Sequence, residues 1–258
     1  MEHREHERIF FDFSSICIIP VLQHSITPGF DKGRELRLGI LGGTFDPIHL
    51  GHLRVAEEIG EELELERIYL LPAAVPPHKE ARPITPFHHR LAMTQLAAEE
   101  SPMLEVLDLE GRRQGLSYSI ETLRECHQIF KPSPILFFIL GMDAFLEIKT
   151  WKEYERLFDY ANFVVINRPR SQSEELEPFL LSLNAGFDRS DKEHTFVHSS
   201  GNVLIYKEAT LMDISSTQIR GLVASGKTIR FLIPESVRAY LMEKGLYRTD
   251  ESPRYCLL

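Results

Sequence analysis

The order of apolar and polar positions along the chain predicts strands that alternate with helices from residue 36 onward. Short apolar runs such as LRLGIL (36–41) and PILFFILG (134–141) lead into or end in glycine, as is typical of buried parallel strands. The segments between such runs carry apolar residues at helical spacing, for example Leu53, Ala56 and Ile59. This alternation indicates a mostly parallel sheet with helices on both faces.

Apolar runs and helical spacing together locate the individual elements. The predicted strands are 36–41, 67–73, 103–110, 134–141, 161–169 and 203–209. The predicted helices are 50–63, 87–100, 117–130, 151–157, 174–183, 216–225 and 234–244. Apart from the helix at 174–183, residues 170–200 are polar and weakly patterned. We therefore expect an α/β protein of Rossmann-like architecture that binds ligands at the carboxyl ends of its strands.

The ordered pattern covers residues 36–250, which are expected to form one domain. Residues 1–35 are expected to be a poorly ordered N-terminal extension, and residues 251–258 a short C-terminal tail. The apolar stretch IFFDFSSICIIPVL (9–22) resembles the core of an export signal, but Asp12 and Pro20 interrupt it and no cleavage site follows. We therefore expect a cytoplasmic protein.

Composition narrows the range of partners. The chain of 258 residues has a formal net charge of −9, so no overall basic field attracts nucleic acid, and no nucleic-acid partner is expected. Its longest apolar runs are too short to span a membrane, and no membrane partner is expected. The three cysteines lie far apart and form no CxxC pair, which favours reduced thiols.

The string GGTFDPIHLGH (42–52) carries the first candidate chemistry, because it joins the end of a predicted strand to a helix. Gly42 and Gly43 let a ligand approach the backbone closely. The amides and the dipole of the helix start favour an anion. His49 and His52 lie three residues apart, on one face of the first turn, where both can donate to phosphate oxygens. A metal site built on these two histidines is disfavoured because no third ligand accompanies them. No metal-binding residues are therefore expected.

A second string, ISSTQIR (214–220), lies near the C-terminus. Ser215, Ser216 and Thr217 offer hydroxyl groups at a predicted helix start, and Arg220 follows within about one turn. Alone, this string would be read as a helix cap with a surface arginine. The histidine string and this string are therefore interpreted as two anion-binding elements at opposite ends of one domain.

These two strings resemble the HxGH and ISSTxxR elements of the nucleotidyltransferase superfamily, here His49-Leu50-Gly51-His52 and residues 214–220. The resemblance implies the Rossmann-like nucleotidyltransferase fold. Class I aminoacyl-tRNA synthetases carry a similar HxGH element, but this chain is short and acidic and has no evident RNA-binding module.

Further strings resemble bacterial nicotinate-nucleotide adenylyltransferases over nearly all of residues 37–247. They are PAAVPPHK (72–79), RRQGLSYSIETL (112–123), GMDAFLEIKTW (141–151) and NRP (167–169). Phosphopantetheine adenylyltransferases share the histidine element but not these landmarks. The resemblance implies that ATP and nicotinate mononucleotide are joined to give deamido-NAD and pyrophosphate, with Mg²⁺ accompanying ATP.

The resemblance also implies roles for individual residues. His49, His52 and Arg220 are expected to stabilise the charge that develops during the reaction. ATP is expected to contact these three residues and Gly42, Gly43, Thr44, Phe45, Gly141, Asp143, Ile214, Ser215, Ser216 and Thr217. The mononucleotide is expected to contact Lys79, Tyr118, Ser119, Trp151 and Arg168. Asp46 is expected to cap or orient the loop between the glycines and the histidines.

One string departs from the family pattern. The family's SYTxDT appears here as SYSIET, with Ser119 in place of threonine and Glu121 in place of aspartate. The departure bears on whether the enzyme selects an acceptor whose ring carries an acid or an amide group. Transfer to nicotinamide mononucleotide, or to another phosphorylated acceptor, therefore stays open. A nucleotide-binding domain without catalysis is the remaining alternative, and the intact His49, His52 and Arg220 weigh against it.

Overall fold

The computed structural model describes residues 35–76, 84–167, 173–210 and 212–249. The predicted tail at 251–258 lies outside these ranges, and so does the predicted N-terminal extension except for Glu35. Within the described residues, no helix is long and apolar enough to cross a membrane.

One sheet of eight strands forms the centre of the described structure. Its strands are β1 (Arg37–Gly43), β2 (Arg67–Pro72), β3 (Leu104–Val106), β4 (Ile135–Gly141), β5 (Asn162–Asn167), β6 (Phe187–Arg189), β7 (Thr195–His198) and β8 (Val203–Glu208). Their order is β3-β2-β1-β4-β5-β8-β7-β6. Strands β1 to β5 and β8 pair in parallel, whereas β6 and β7 pair antiparallel at one edge. The expected Rossmann-like, mostly parallel sheet is confirmed.

Helices lie between the strands and follow the last strand. They are α1 (Leu50–Glu62), α2 (Phe87–Ala98), α3 (Leu109–Arg112), α4 (Ser119–Ile129), α5 (Met142–Leu146), α6 (Tyr154–Leu157), α7 (Ser173–Ser182), α8 (Ser216–Ala224) and α9 (Glu235–Glu243). In α1 the apolar residues at helical spacing, Leu53, Ala56 and Ile59, are buried in the main hydrophobic core. Removing such stripes from water is the main stabilising contribution of these helices.

The strand order reverses direction at β1. From β1 the chain continues to β2 on one side and later returns to β4 on the other. The loops that leave the carboxyl ends of β1 and β4 therefore diverge and open a crevice, which is where open α/β sheets bind their ligands. Both strands end in glycine at this crevice, Gly43 in β1 and Gly141 in β4.

Three regions differ from the sequence prediction. The predicted strand 103–110 is wrong in its second half, because only Leu104–Val106 is a strand and Leu109–Arg112 is a short helix. The apolar residues there are still buried, Leu107 in the segment between β3 and α3 and Leu109 at the start of α3.

The predicted helix 151–157 is shorter, Tyr154–Leu157, and follows α5 and a 3-10 turn at Ile148–Thr150 that the pattern did not indicate. The weakly patterned region 170–200 contains the hairpin of β6 and β7, whose strands are only three and four residues long. Strands this short give too few alternating positions to be recognised.

Candidate active site

A cavity of about 460 Å³ opens at the crevice between β1 and β4. Residues from five segments line it: the end of β1, the end of β2 with its exit, α3, the start of α4, and β4 with the segment that follows. The lining includes Gly42, Gly43, Thr44, Glu110, Ser117, Tyr118, Ser119, Phe138, Gly141, Trp151 and Lys152. The cavity thus connects the predicted ATP and mononucleotide residues.

Gly43 is required by close packing beneath this cavity. A Cβ atom at position 43 would lie 2.6 Å from the Phe45 ring, far inside van der Waals contact. Phe45 itself is 2% exposed, and its φ of 48° lies in the left-handed region. Its ring contacts His52 edge-on, with 5.1 Å between the centroids. The strand end is therefore shaped so that Phe45 supports the first turn of α1.

His49 and His52 stand together at the start of α1. Their rings stack with centroids 3.6 Å apart, and the His49 backbone N–H donates to His52 Nδ1 at 3.3 Å. His49 is 6% exposed, and a Cβ at Gly51 would come within 3.1 Å of its ring. The Leu50 amide donates to the Leu232 carbonyl at 3.0 Å, which fixes the helix start against the segment before α9.

The C-terminal string meets the histidine string in space. Ser215 caps α8 by accepting the Gln218 amide at 3.2 Å. The Ser216 hydroxyl donates to the Pro47 carbonyl at 2.8 Å, and Arg220 Nη1 donates to the Asp46 carbonyl at 2.6 Å. The start of α8 is thus held against the loop that precedes α1, although the two strings are separated by more than 150 residues in the sequence.

Asp46 is the buried centre of this contact, with 4% exposure. Its Oδ1 accepts the Tyr247 hydroxyl at 2.7 Å, and its Oδ2 lies 4.0 Å from Arg220 Nη1. Burial raises the pKa of Tyr247, so the phenol remains a donor. Asp46 therefore joins the loop, α8 and the segment after α9, in keeping with the orienting role expected for it.

Arg90, in α2, is a structural residue of the site that the sequence did not reveal. It is 1% exposed, and its guanidinium donates to carbonyl oxygens of three loop segments. The acceptors are Thr44 (2.8 Å), Ala73 (2.6 Å), Ala74 (2.9 Å) and Thr85 (2.8 Å). Burial lowers the pKa of Arg90, but arginine stays charged at any physiological pH. A lone arginine in a helical pattern carries no sign of this role.

The residues predicted to contact the mononucleotide include Tyr118 and Ser119, at the start of α4. The Ser117 hydroxyl oxygen accepts the Ala74 and Val75 amides, each at 3.1 Å, and so ties the exit of β2 to α4. Trp151 packs edge-on against Phe138 of β4, with 6.4 Å between the ring centroids. The indole is thereby fixed at the cavity wall by the sheet.

Two charged residues in the cavity lining were also missed by the sequence analysis. Glu110 is 5% exposed, and its Oε1 accepts the Thr122 hydroxyl at 3.0 Å. Lys152 donates to Glu121 at 2.6 Å. Glu110 was hidden because its segment was predicted as a strand, and Lys152 because one lysine in a charged stretch reads as a solvated side chain.

The predicted site residues fall into three groups. Those that line the cavity are Gly42, Gly43, Thr44, Tyr118, Ser119, Gly141 and Trp151. Those that gather around the β1–α1 loop are Phe45, His49, His52, Ser215, Ser216, Thr217 and Arg220. Asp143 is exposed in α5 and Ile214 is buried before α8, whereas Lys79 and Arg168 lie outside the described residues.

Over residues 35–76, 84–167, 173–210 and 212–249, no group of three or more His, Cys, Asp or Glu side chains is arranged to hold a metal ion.

The parallel sheet, the crevice at β1 and β4, and the two converging strings define a nucleotidyltransferase. In agreement, the family model described as cytidylyltransferase-like matches residues 40–222, more than half of the chain.

The curated relatives identify the family within this class. A protein of Syntrophotalea carbinolica called a probable nicotinate-nucleotide adenylyltransferase is 45% identical over 84% of this chain and 99% of its own length. One of the same description from Geotalea daltonii is 43% identical over 82% of this chain and 98% of its own length. The chain belongs to the nicotinate-nucleotide adenylyltransferase family.

Solved structures share the fold. The nicotinic acid mononucleotide adenylyltransferase of Plasmodium falciparum, complexed with NaAD, gives a TM-score of 0.63 at 20% identity, over 83% of this chain and 98% of that one. A putative nicotinate-nucleotide adenylyltransferase of Vibrio parahaemolyticus gives 0.54 at 17% identity, over 84% and 98%. At these identities the likeness establishes the architecture alone.

Proposed function

We propose that the protein transfers the adenylyl group of ATP to nicotinate mononucleotide, forming deamido-NAD and pyrophosphate in NAD biosynthesis. The observation that carries this proposal is the meeting of the histidine string and the C-terminal string at the loop between β1 and α1, through the hydrogen bonds from Ser216 to Pro47 and from Arg220 to Asp46. Family membership supports the choice of acceptor, since the curated relatives bear the name of this activity.

The reaction needs no general base. The phosphate of a mononucleotide is already anionic near neutral pH, so one of its oxygens can attack the α-phosphorus of ATP directly. A new P–O bond forms there, and the bond from the α-phosphorus to the bridging oxygen breaks as pyrophosphate leaves. The difficulty is to bring two polyanions together and to stabilise the charge that develops, which is a matter of positioning and electrostatics.

His49, His52 and Arg220 are the residues proposed to stabilise that charge. The stacked histidines stand at the positive end of the α1 dipole, where an anion is favoured. Arg220 is oriented by Asp46 and by Thr217, whose hydroxyl oxygen accepts from Nη2 at 3.0 Å. A guanidinium held in this way can face phosphate with little loss of side-chain entropy.

ATP is proposed to enter as its magnesium complex. Mg²⁺ would arrive with the nucleotide as part of the substrate and would supply positive charge to its phosphates. Gly42, near the end of β1, and Gly141, at the end of β4, both line the cavity. They are proposed to let the nucleotide approach the backbone. Tyr118, Ser119 and Trp151 are proposed to contact the pyridine ring on the far side.

Pyrophosphate release on mixing the protein with ATP and nicotinate mononucleotide tests the proposal. We expect pyrophosphate to appear only when both substrates are present, together with a product of the mass of deamido-NAD. ATP binding without pyrophosphate release would instead indicate a nucleotide-binding protein without catalysis. Release with other phosphorylated acceptors but not with this mononucleotide would contradict the proposed acceptor.

A further inference from the structure

Two of the described residues that line the cavity carry a formal charge, Glu110 and Lys152. Glu110 is 5% exposed and faces a guanidinium, since Arg113 Nη2 lies 3.8 Å from its Oε1. The Lys152 side chain keeps 43% of its exposure and stands at the rim. Within the described lining, Lys152 is therefore the cation that an anionic group on the bound ring would meet.

The position of Lys152 is fixed by neighbours on two sides. Its Nζ donates to Glu121 Oε1 at 2.6 Å and lies 4.7 Å from the centroid of the Tyr118 ring. The residue before it, Trp151, is packed on the sheet through Phe138. An ammonium group held over an aromatic face beside a cavity costs less side-chain entropy on binding than a free surface lysine does.

Glu121 is the residue at which the sequence departs from the SYTxDT pattern. A glutamate is one methylene longer than the aspartate of that pattern, and its second oxygen, Oε2, lies 3.8 Å from Arg113 Nη1. Arg113 also lies 3.8 Å from Glu110 and from Glu125, so its charge is matched by other carboxylates, while Glu121 orients the Lys152 ammonium over the Tyr118 ring. The pair with Glu121 holds the Lys152 ammonium beside Tyr118.

We propose that Lys152 is a specificity-determining residue, which favours nicotinate mononucleotide over nicotinamide mononucleotide. The inference rests on the proposed function and deepens it. The two mononucleotides differ only in a ring carboxylate against a neutral carboxamide. A nearby positive charge lowers the free energy of the bound acid and leaves that of the amide nearly unchanged.

The test compares K152M with K152R and with K149M. Lys149 is a matched control, because it lies three residues away and donates to the Ser182 carbonyl at 2.9 Å, away from the cavity lining. We expect K152M to lower kcat/KM for nicotinate mononucleotide about tenfold, to change that for nicotinamide mononucleotide less than about twofold, and to leave KM for ATP unchanged. K152R keeps most of the acid activity, and K149M matches the unmodified enzyme.

Binding provides a readout that does not depend on turnover. Trp151 is the only tryptophan of the chain, so quenching of its fluorescence reports each mononucleotide directly. If the unmodified protein turned over neither mononucleotide, the proposed function would fail, while the ratio of the two dissociation constants in K152M would still decide the role of Lys152. Equal affinities in the unmodified protein, no binding of either mononucleotide, or an unchanged preference in K152M would each overturn the inference.

Discussion

His52 is the residue whose side chain the proposed mechanism depends on most. It is supported by Phe45 and stacked on His49 at the start of α1. Replacing it with alanine should reduce kcat by about 10²–10³-fold, the effect of losing one preorganised charge-stabilising donor. Steady-state rates of adenylyl transfer measure this, and circular dichroism should show an unchanged fold.

His194 offers a control for this substitution. Its side chain is 58% exposed on the hairpin between β6 and β7, remote in sequence from the site. His194→Ala should keep the rate of the unmodified enzyme. A His52→Ala enzyme as active as His194→Ala would show that His52 has no part in charge stabilisation.

Individual site residues can be predicted from the sequence when they occur within a motif of characteristic spacing. His49, His52, Ser216 and Arg220 could be named because glycines, hydroxyl groups and charges occur around them at fixed spacing. Arg90 could not be found in this way, because its importance comes from four carbonyl oxygens that only the folded chain brings together.

Arg90 is the residue at which we expect a conservative substitution to reduce stability most. A lysine keeps the charge but cannot reach four acceptors in a planar fork, so buried carbonyl groups would lose their donors. Arg90→Lys should lower the free energy of unfolding by about 2–4 kcal/mol and raise KM for both substrates. Urea unfolding and steady-state kinetics measure the two effects.

Arg112 is the matched comparison, since its exposed side chain pairs with Asp108 at 2.6 Å. Surface pairs contribute about 1 kcal/mol or less, so Arg112→Lys should leave the unfolding curve nearly unchanged. If both variants unfolded at the same urea concentration, the three loops would not depend on the Arg90 guanidinium.

At the scale of elements, the glycines that end β1 and β4 differ sharply in the space around them. A Cβ at Gly43 meets the Phe45 ring at 2.6 Å, whereas a Cβ at Gly141 meets nothing within 4 Å. Gly43→Ala should therefore displace Phe45 from α1 and destabilise the protein by about 1–3 kcal/mol, with loss of turnover.

Gly141→Ala is expected to behave differently. Its added methyl group enters the open cavity, so stability should stay near that of the unmodified protein while KM for ATP rises. Thermal unfolding and ATP-dependent kinetics separate the two variants. Equal destabilisation by both changes would contradict the packing described for β1 and α1.

The long elements were predictable and the short ones were not. The pattern located α1, β4 and α9 to within about two residues, because each presents several apolar residues at one period. The predicted strand 103–110 fails because LEVLDLE alternates like a strand, although Leu109–Arg112 turns into a helix. An alternating pattern of apolar residues indicates which side chains are buried. A loop followed by a short helix can bury the same leucines as a strand.

At the scale of the whole molecule, alkaline pH should weaken the fold. Burial raises the pKa of the Cys126 thiol to about 12, and it also raises the pKa of Tyr69 and Tyr247. The unfolded chain releases these protons at lower pH than the folded chain does. The stability is therefore complete below the unfolded pKa values and is lost as pH rises toward the folded ones.

Urea midpoints at about pH 8 and about pH 10 measure this effect, with a lower midpoint expected at the higher pH. The same burial should protect Cys126 from iodoacetamide in the folded protein and expose it to alkylation in urea, as peptide mapping can show. Equal midpoints at both pH values, or rapid alkylation of folded Cys126, would contradict the burial of these groups.

The sheet order explains why residues so far apart in the sequence form one site. The reversal at β1 brings its end beside that of β4, and α8 then reaches back to the loop at Asp46. Sequence alone predicts the alternation that makes such a crevice, but it does not predict which side chains hold the loops around it. Those depend on contacts such as Tyr247 with Asp46, across about 200 residues.

Transfer of label from α-phosphorus-labelled ATP to nicotinate mononucleotide measures the proposed reaction most directly. With the unmodified protein and MgATP, we predict that the label appears in deamido-NAD in amounts equal to the unlabelled pyrophosphate released. Label that stays in ATP while the nucleotide binds, or that appears in free AMP, would contradict adenylyl transfer to this acceptor.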